Sequence, residues 1–250
     1  MTVHTAEAEA VATLSELETA RFGVRAARAR VVPETLPRVL EFCLAERVEL
    51  LITRCATTDL PAAQAMETHG FLLMDTLVYY GYELLRKPIP EASGEFLIRQ
   101  FRPADRDQVR LVAAGAFKGY MGHYHADPRL DRRQCDETYA SWAERSTTLK
   151  SAADEVLVAE HDGNIVGFAT LRRNSSEEGE GLLFAVAPEY QKRGVCRALM
   201  IHSLRWCQSQ RTARMVISTQ VTNVSMQKVW CRVGFEPSTS YYTFHKWFDR

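Results

Sequence analysis

The sequence has no surplus of charge of either sign and little glycine or proline. Lysine and arginine together number 31, as do aspartate and glutamate, and the 250 residues include 13 glycines and 9 prolines. The charge balance argues against a protein that is held on nucleic acid mainly by overall positive charge. Because 46% of the residues are hydrophobic, we expect an ordinary globular protein and not a disordered or fibrous one.

Long apolar runs and paired cysteines are also lacking. No stretch reaches the roughly 18 apolar residues of a membrane span, and the start of the chain has neither the basic segment nor the apolar run of a signal peptide. The cysteines form no C-x-x-C pair and have no histidine at metal-ligand spacing. We therefore expect a soluble, cytoplasmic protein with free thiols, no membrane partner and no bound metal. The cysteines are Cys43, Cys55, Cys135, Cys196, Cys207 and Cys231.

A linker divides the chain into the two domains that we predict. Residues 86–94 read RKPIPEASG and lie between two strand-like apolar runs, which is typical of a connecting segment. The prediction is a first domain over residues 1–90 and a second over residues 91–250.

The two halves share a weak repeat. In each half an apolar strand is followed by Asp59 or Asn223, a helical run, a Gly-Phe pair and an aromatic strand. The alternative is that so common an order recurs by chance. The first half has no counterpart of the basic turn described below, so we expect the chemistry in the second half.

The second half predicts alternating strands and helices. Its clearest local feature is a hairpin over residues 156–171, where apolar residues alternate on both sides of Asp162-Gly163. Strands are predicted over residues 182–186, 215–219 and 241–248. A long helix is predicted from Val195, and a second helix ends at Gly234.

A basic turn, residues 191–197, lies between the strand over residues 182–186 and the long helix. Backbone N–H groups at a helix N-terminus, together with Lys and Arg side chains, form a cradle for phosphate. The turn matches neither G-x-x-x-x-G-K-[ST] nor G-x-G-x-x-G, which disfavours a nucleotide triphosphatase and a dinucleotide-dependent oxidoreductase. A solvated helix start is the alternative.

The segment VAPEYQKRGVC, residues 186–196, resembles the acyl-CoA motif of the GNAT acetyltransferase superfamily, V-x-P-x-[YF]-[QR]-x-x-G-x-[GA]. It departs at Cys196, where the family usually has Gly or Ala. The resemblance extends over residues 95–250. It implies an α/β (α+β) protein with the GNAT fold, a mixed central β-sheet flanked by helices, preceded here by an incomplete GNAT-like half. It also implies acetyl-CoA as the cosubstrate.

By that resemblance the end of the strand before the basic turn separates from its neighbour and pairs with the pantetheine amides, while the basic turn holds the pyrophosphate. Asn223 would contact the pantetheine arm. The cofactor-binding residues so implied are Phe184, Ala185, Val186, Gln191, Lys192, Arg193, Gly194, Val195, Cys196, Arg197, Asn223 and Trp230.

The reaction implied is direct transfer of an acyl group from the thioester to an amine, which needs a base for the amine and an acid for the leaving thiolate. Glu180 lies where many family members carry the base, and a solvated acidic loop is its alternative role. Trp230 replaces the family's acid tyrosine, and an indole N–H is not a useful donor to a thiolate. The alternative role of Trp230 is to pack in the hydrophobic core. The replacement acids left open are Cys231, Tyr241, Tyr242 and water; with Glu180, the two tyrosines are our candidate catalytic residues.

A polar and aromatic loop is the candidate acceptor site. It has the hydrogen-bonding groups that suit a hydroxylated ligand. A structural loop is the first alternative, and a metal site at the two histidines is the second. The predicted substrate-binding residues are Tyr120, His123, Tyr124, His125 and Asp127.

The whole chain also resembles, more loosely, the dTDP-fucosamine (dTDP-4-amino-4,6-dideoxygalactose) acetyltransferases, through motifs that include Gly70-Phe71 and Thr219-Gln220-Val221. The partner so implied is a small-molecule amine, such as a nucleotide-linked amino sugar. An amino acid or natural-product amine is the second hypothesis, and a catalytically silent CoA-binding module is the third. The sequence leaves the oligomeric state open, a homodimer included.

Overall fold

The computed structural model describes residues 12–92 and 94–249. The strands are β1 (Ala12–Leu14), β2 (Ala26–Arg30), β3 (Leu50–Ala56), β4 (Leu72–Glu83), β5 (Leu97–Gln100), β6 (Glu155–His161), β7 (Asn164–Arg173), β8 (Glu178–Val186), β9 (Arg214–Gln220) and β10 (Glu236–Trp247). The helices are α1 (Glu16–Phe22), α2 (Leu36–Ala45), α3 (Leu60–Thr68), α4 (Arg106–Ala116), α5 (His123–Ala126), α6 (Arg132–Thr148), α7 (Val195–Ser209) and α8 (Val224–Val233). Most of the segment assessed for a signal peptide, and Ser93 of the predicted linker, lie outside the described residues.

The chain divides into two compact units. Unit 1 comprises Met1–Leu77, Gly122–Asp131 and Ser240–Arg250, and unit 2 comprises Val78–Met121 and Arg132–Thr239. This division differs from the predicted boundary between residues 90 and 91. The reason is that the closing strand returns to unit 1, where β10 pairs with β3 from Tyr241 to Trp247.

Unit 1 is built on the strand order β1-β2-β3-β10. Strands β2 and β3 pair in parallel, and β1 and β10 pair antiparallel to their neighbours. One face of these strands packs against α2 and α3 in an apolar core. Its largest members include Leu36, Val39, Leu51, Met66, Phe71 and Phe244.

Unit 2 contains a mixed sheet in the order β4-β9-β8-β7-β6-β5. Strands β5 to β8 pair antiparallel, whereas β8 and β9 pair in parallel. Helices α7 and α8 contribute to one core cluster with these strands, and α4 and α6 contribute to another. The sheet is therefore flanked by helices, as predicted.

The predicted hairpin is formed by β6 and β7. Asp162 and Gly163 in its turn both have positive φ, 49° and 77°. Two successive positive φ values are what a type I′ turn requires, and Asp-Gly meets that requirement at little cost. The hairpin prediction is confirmed.

The predicted repeat has matching local geometry in its two copies. The helices α3 and α8 are N-capped by Asp59 and Asn223, whose side chains accept the N–H of the residue three positions later. Each helix is followed by a glycine of positive φ, Gly70 at 74° and Gly234 at 110°. A short polar cap and a glycine stop are thus shared signals, which explains why the sequence revealed the repeat.

Two classes of structure are absent from the described part of the chain. No helix there is long and apolar enough to span a bilayer. No group of three or more His, Cys, Asp or Glu side chains in residues 12–92 and 94–249 is arranged to hold a metal ion.

Gly179 on β8 is expected to be essential for stability. A Cβ at this position would lie 2.5 Å from Cys207 Sγ on α7. We expect Gly179→Ala to lower the free energy of unfolding by about 1–3 kcal/mol, because the overlap must be relieved by movement of the helix or strand. Chemical denaturation measures the change.

Gly115→Ala is the matched control for Gly179→Ala. The added Cβ would lie 3.5 Å from Pro188 Cδ, an ordinary contact, within helix α4. Since alanine favours a helix over glycine by roughly 0.5–1 kcal/mol, this variant should be as stable as the parent or more so. Equal stability of Gly179→Ala and the parent would show that Cys207 can move at no cost.

Candidate active site

The strands β8 and β9 separate toward their carboxyl ends. Their parallel register runs from Glu178 opposite Arg214 to Gly181 opposite Ile217, while both strands continue beyond those residues. The unpaired edge of β8 therefore offers backbone N–H and C=O groups to a ligand. This is the separation that the sequence resemblance implied.

A bulge in β8 lies at the point of separation. On the other edge of the strand, Leu171 of β7 is opposite Gly181 and Thr170 is opposite Leu183, so Leu182 is the extra residue. An extra residue changes which side chains face each side of a sheet. Gly179 therefore faces α7, whereas after the bulge Ala185 packs with α4 on the other side.

The basic turn connects β8 to α7 through a short 3₁₀ turn at Pro188–Tyr190. Lys192 and Gly194 have positive φ, 63° and 92°. Gly194 is the N-cap residue of α7, and no side chain caps the helix, so the N–H groups of its first turn have no partner within the helix. A Cβ at Gly194 would meet no atom within 4 Å. The geometry fits an anion that approaches the backbone closely.

The basic side chains of the turn differ in their partners. Arg193 forms an ion pair with Glu95 at 2.7 Å and lies over the Tyr190 ring at 5.0 Å. Arg197 donates to the Glu91 carbonyl at 3.2 Å. Lys192 is exposed and takes part in none of the ion pairs found among the described residues. Lys192 is thus the side chain most readily available to a phosphate.

Cys196 is the position at which the sequence departs from the family motif. It lies on α7, is half-buried and faces α8. Its Sγ lies 3.9 Å from Met226 Sδ of α8. Burial raises the pKa of this thiol to about 12. The thiol is protonated at neutral pH, so Cys196 is a packing residue of the turn and not a nucleophile.

Tyr120 and Asn223 meet at the carboxyl end of β9. The Asn223 amide donates to Thr219 Oγ1 at 3.0 Å, and the Tyr120 hydroxyl lies 3.5 Å from the same oxygen. Tyr120 also packs edge-on against Tyr139 of α6. One predicted acceptor residue and one predicted cofactor residue are therefore brought together where β8 and β9 diverge.

Glu180 lies on β8 immediately before the last paired residue, Gly181. It is half-buried, and its Oε2 accepts a hydrogen bond from the Asn174 amide at 3.0 Å. The acidic-loop alternative is wrong, because Glu178 and Glu180 are both strand residues. Their neighbours Gly179 and Gly181 fit there without overlap, whereas a Cβ would overlap Cys207 of α7 at Gly179 and Ile217 of β9 at Gly181.

Trp230 is buried in the core of unit 2, with 2% of its surface exposed. Its ring packs edge-on against Tyr80 of β4 at 5.3 Å. The indole Nε1 has no hydrogen-bond partner within the described part of the chain. This placement supports the packing interpretation of Trp230. That Tyr80 adjoins it could not be predicted from the sequence, since the two residues are 150 positions apart.

Trp230→Phe should therefore act on stability and not on proton transfer. Loss of the larger ring from the core is expected to cost about 1–3 kcal/mol of unfolding free energy, while the pH profile of the reaction stays as it is. Denaturation and pH–rate measurements test both parts. Trp230→Tyr is the comparison, since a raised kcat in that variant alone would show that a phenol at this position reaches the leaving thiolate.

Tyr241 and Tyr242 both belong to unit 1, on β10. Arg30 lies 5.9 Å from the centroid of the Tyr241 ring, whereas Tyr242 packs with the apolar core that includes Phe244. Consecutive strand residues point to opposite faces of a sheet. The two tyrosines therefore cannot serve the same site from the same face. Cys231, the third replacement acid, is exposed on α8.

The other four predicted acceptor residues lie in unit 1 and are buried there. His245 Nδ1 donates to Asp127 Oδ2 at 2.7 Å, and Trp247 Nε1 donates to the same oxygen at 2.9 Å. His123 Nδ1 lies 2.9 Å from His245 Nε2. Burial opposes ionisation of Asp127, but these hydrogen bonds outweigh it and lower the pKa of its carboxyl group. These buried contacts support the alternative interpretation, in which the segment is a structural loop.

Tyr124 completes a second buried group in unit 1. Its hydroxyl donates to Glu18 Oε1 at 2.7 Å and accepts from Arg28 at 2.8 Å. Burial, opposed in part by the charge of Arg28, raises the pKa of Tyr124 to about 12. His125 is also buried, and the Gly122 N–H donates to its Nδ1 at 3.3 Å. The sequence did not predict that Glu18 and His245 contact this segment, since Glu18 is 106 positions from Tyr124 and His245 is 118 positions from Asp127.

Comparison with known proteins adds to this geometry. Residues 120–235 match the family described as "Acetyltransferase (GNAT) family". The chain is 22% identical over 209 residues to the spore coat polysaccharide biosynthesis protein SpsD of Bacillus subtilis (strain 168), a match that covers 81% of this chain and 68% of that protein. It is 28% identical over 198 residues to the mycothiol acetyltransferase of Acidothermus cellulolyticus, covering 71% of this chain and 56% of that protein.

The fold has close counterparts among solved structures. A GCN5-related N-acetyltransferase from Sphaerobacter thermophilus matches with a TM-score of 0.65 over 94% of this chain and 76% of its own, at 15% identity. At this identity the likeness concerns the fold alone. It confirms the predicted mixed sheet flanked by helices.

Proposed function

We propose that this protein transfers an acetyl group from acetyl-CoA to the amine of a nucleotide-linked amino sugar. The premise is that it is an acyltransferase with the GNAT fold, whose residues 120–235 match the acetyltransferase (GNAT) family. The observation that carries the proposal is the separation of β8 and β9 directly before the uncapped N-terminus of α7. An unpaired strand edge can pair with the amides of the pantetheine arm of acetyl-CoA. The helix N-terminus that follows it along the chain can bind the pyrophosphate at the end of that arm.

Different residues of unit 2 would bind different parts of acetyl-CoA. The backbone of Phe184, Ala185 and Val186 would pair with the pantetheine arm. The N–H groups of the basic turn, residues 191–197, and the Lys192 side chain would hold the pyrophosphate. Asn223 would position the arm from the end of β9. When bound, acetyl-CoA supplies the activated acyl group.

Glu180 is the proposed base for the acceptor amine. It is half-buried beside the point of strand separation, and its hydrogen bond from Asn174 fixes the orientation of the carboxylate. A positioned carboxylate that removes the amine proton contributes roughly 10²–10⁴-fold to such a reaction. Tyr241 and Tyr242 remain the proposed acids, and their opposite faces mean that at most one of them acts.

The nature of the acceptor rests on two supports. One is the loose resemblance of the chain to the dTDP-fucosamine acetyltransferases, and the other is its similarity to a protein named for spore coat polysaccharide biosynthesis. The second candidate is a different acceptor amine, and the similarity of the chain to a protein named mycothiol acetyltransferase supports it. A cytoplasmic location belongs to the proposal and is supported by the six free thiols.

Mass spectrometry after incubation with acetyl-CoA and a panel of amines tests the proposal. The panel contains a nucleotide-linked amino sugar, free amino sugars, amino acids and natural-product amines. We expect one acetyl group on the nucleotide-linked sugar. Acetylation of an amino acid alone would favour the second candidate, and CoA binding without any product would favour a silent binding module.

The stoichiometry of binding should be one acetyl-CoA per chain. The first copy of the repeat has no counterpart of the basic turn, so it offers no second site for the pantetheine arm and the pyrophosphate of acetyl-CoA together. Calorimetric titration counts the sites, and two per chain would contradict the assignment of cofactor binding to the second half.

A further inference from the structure

One face of the unit 1 strands carries three arginines on neighbouring strands. Arg30 of β2 is directly opposite Arg54 of β3, and Arg28 lies two residues before Arg30 on the same face. Thr243 of β10 is opposite Arg54 on the other side. These four residues, here called the arginine face, lie on the side opposite the core formed with α2 and α3.

The positive charge of this face is compensated only in part. Arg28 forms an ion pair with Glu18 of α1. Arg30 and Arg54 take part in none of the ion pairs found in residues 12–92 and 94–249. Arg30 is exposed and lies over the Tyr241 ring, and Arg54 is half-buried. Two arginines on paired strands are thus directly opposite each other, and neither forms an ion pair within those residues.

Two polar atoms at the centre of the arginine face are buried without a hydrogen-bond partner in the described part of the chain. They are Arg54 Nε and Thr243 Oγ1, on residues that are directly opposite each other. Like charges opposite each other destabilise a sheet, and a buried polar group without a partner costs free energy. Such a combination of costs is characteristic of a functional site.

The charge of these arginines also acts on the titration of a neighbouring side chain, His123. Burial, followed by electrostatic repulsion from His245, Arg54 and Arg28, lowers the pKa of His123 well below its usual value. His123 is therefore neutral at physiological pH. The arrangement of the arginines gives this face a positive potential, and the direction of the pKa shift of His123 agrees with it.

We propose that the arginine face binds the phosphate groups of a small-molecule ligand, with Arg30 and Arg54 as the main contacts. A guanidinium group presents two parallel N–H donors that match two phosphate oxygens, and a diphosphate carries enough charge to compensate both arginines. The half-buried Tyr241 ring beside Arg30 gives the ligand an aromatic surface next to the phosphates.

The phosphate groups have two sources. One is the diphosphate of a nucleotide-linked acceptor, in which case the inference rests on the proposed function. The other is a separate phosphorylated metabolite bound to unit 1. The experiment therefore measures binding apart from acetyl transfer.

Inorganic pyrophosphate is the probe, and the full chain with Gly194→Glu is the starting protein. That substitution adds a negative charge to the basic turn of unit 2, so that binding there does not mask binding to unit 1. We expect calorimetry to show one pyrophosphate site per chain in this protein. Arg30→Gln and Arg54→Gln should each weaken it at least tenfold, and Arg30→Lys should weaken it less.

Arg38→Gln is the matched control, since Arg38 is exposed on α2, on the opposite side of the unit 1 strands. Its pyrophosphate affinity should equal that of the starting protein. Arg30 is itself exposed, so Arg30→Gln is expected to fold normally even if Arg54→Gln does not. An unchanged affinity in Arg30→Gln, or no pyrophosphate binding in the starting protein, would overturn the proposal.

A second measurement separates the two sources. If the ligand is the acceptor, Arg30→Gln in the otherwise unaltered chain should raise KM for the nucleotide-linked amino sugar at least tenfold and leave acetyl-CoA affinity unchanged. If KM does not change while pyrophosphate binding is lost, the site serves a separate metabolite. If no amine is acetylated at all, the proposed function fails, but the pyrophosphate result still decides the present inference.

Discussion

Gly194→Glu is expected to abolish binding of acetyl-CoA. The backbone N–H groups at the start of α7 have no cap, and the space next to Gly194 is open. A glutamate would place a carboxylate in that space, beside the pyrophosphate. Two unit charges about 4–5 Å apart repel by roughly 3–4 kcal/mol at an effective dielectric constant near 20, which corresponds to at least about a 100-fold loss of affinity. Calorimetry with acetyl-CoA measures it.

Two variants separate charge from backbone strain in this experiment. Gly194→Gln has nearly the same shape and the same unfavourable positive φ without the charge, so it should lose less affinity than Gly194→Glu. Gly23→Glu places the same charge at a glycine of φ 66° in unit 1, where a Cβ also meets no atom within 4 Å. Its acetyl-CoA affinity should stay unchanged. Full affinity in Gly194→Glu would remove the basis for a cofactor site at the basic turn.

The parts of the site that the sequence predicted depend on local signals. The hairpin at Asp162-Gly163 needs only two residues that accept positive φ, and the turn before α7 needs a glycine at Gly194. The caps Asp59 and Asn223 act on N–H groups three residues away. Such interactions are encoded within a few positions, so a single sequence reveals them.

The remaining features depend on contacts between distant parts of the chain. The sequence cannot show that Cys207 lies beneath Gly179, so the residues before 182 were open to interpretation as a loop. Nor can it show that His245 and Asp127, 118 positions apart, share a hydrogen bond that buries the candidate acceptor loop. Nor can the sequence show that β10 pairs with β3. Because of this pairing, the two compact units differ from the two domains predicted from the linker.

Glu180→Gln is expected to lower kcat by about 10² or more and to leave acetyl-CoA affinity nearly constant. Glutamine keeps the shape of the side chain and can still accept a hydrogen bond from Asn174, but it cannot accept the proton of the acceptor amine. Binding and chemistry should therefore separate, with a loss in kcat that equals the loss in kcat/KM. Steady-state kinetics at saturating acetyl-CoA, with calorimetry of the same variant, measures both quantities.

Glu178→Gln is the matched control for Glu180→Gln, because Glu178 lies two residues earlier on the same face of β8. Its carboxylate is held by Arg214 at 2.8 Å, at the end of the strand away from the separation, and also accepts from the Asn174 amide at 2.9 Å, a hydrogen bond that the glutamine oxygen can keep. Removing that partly exposed ion pair should cost at most about 1 kcal/mol of stability and leave kcat within a small factor. If Glu180→Gln behaves like Glu178→Gln, Glu180 is not the base.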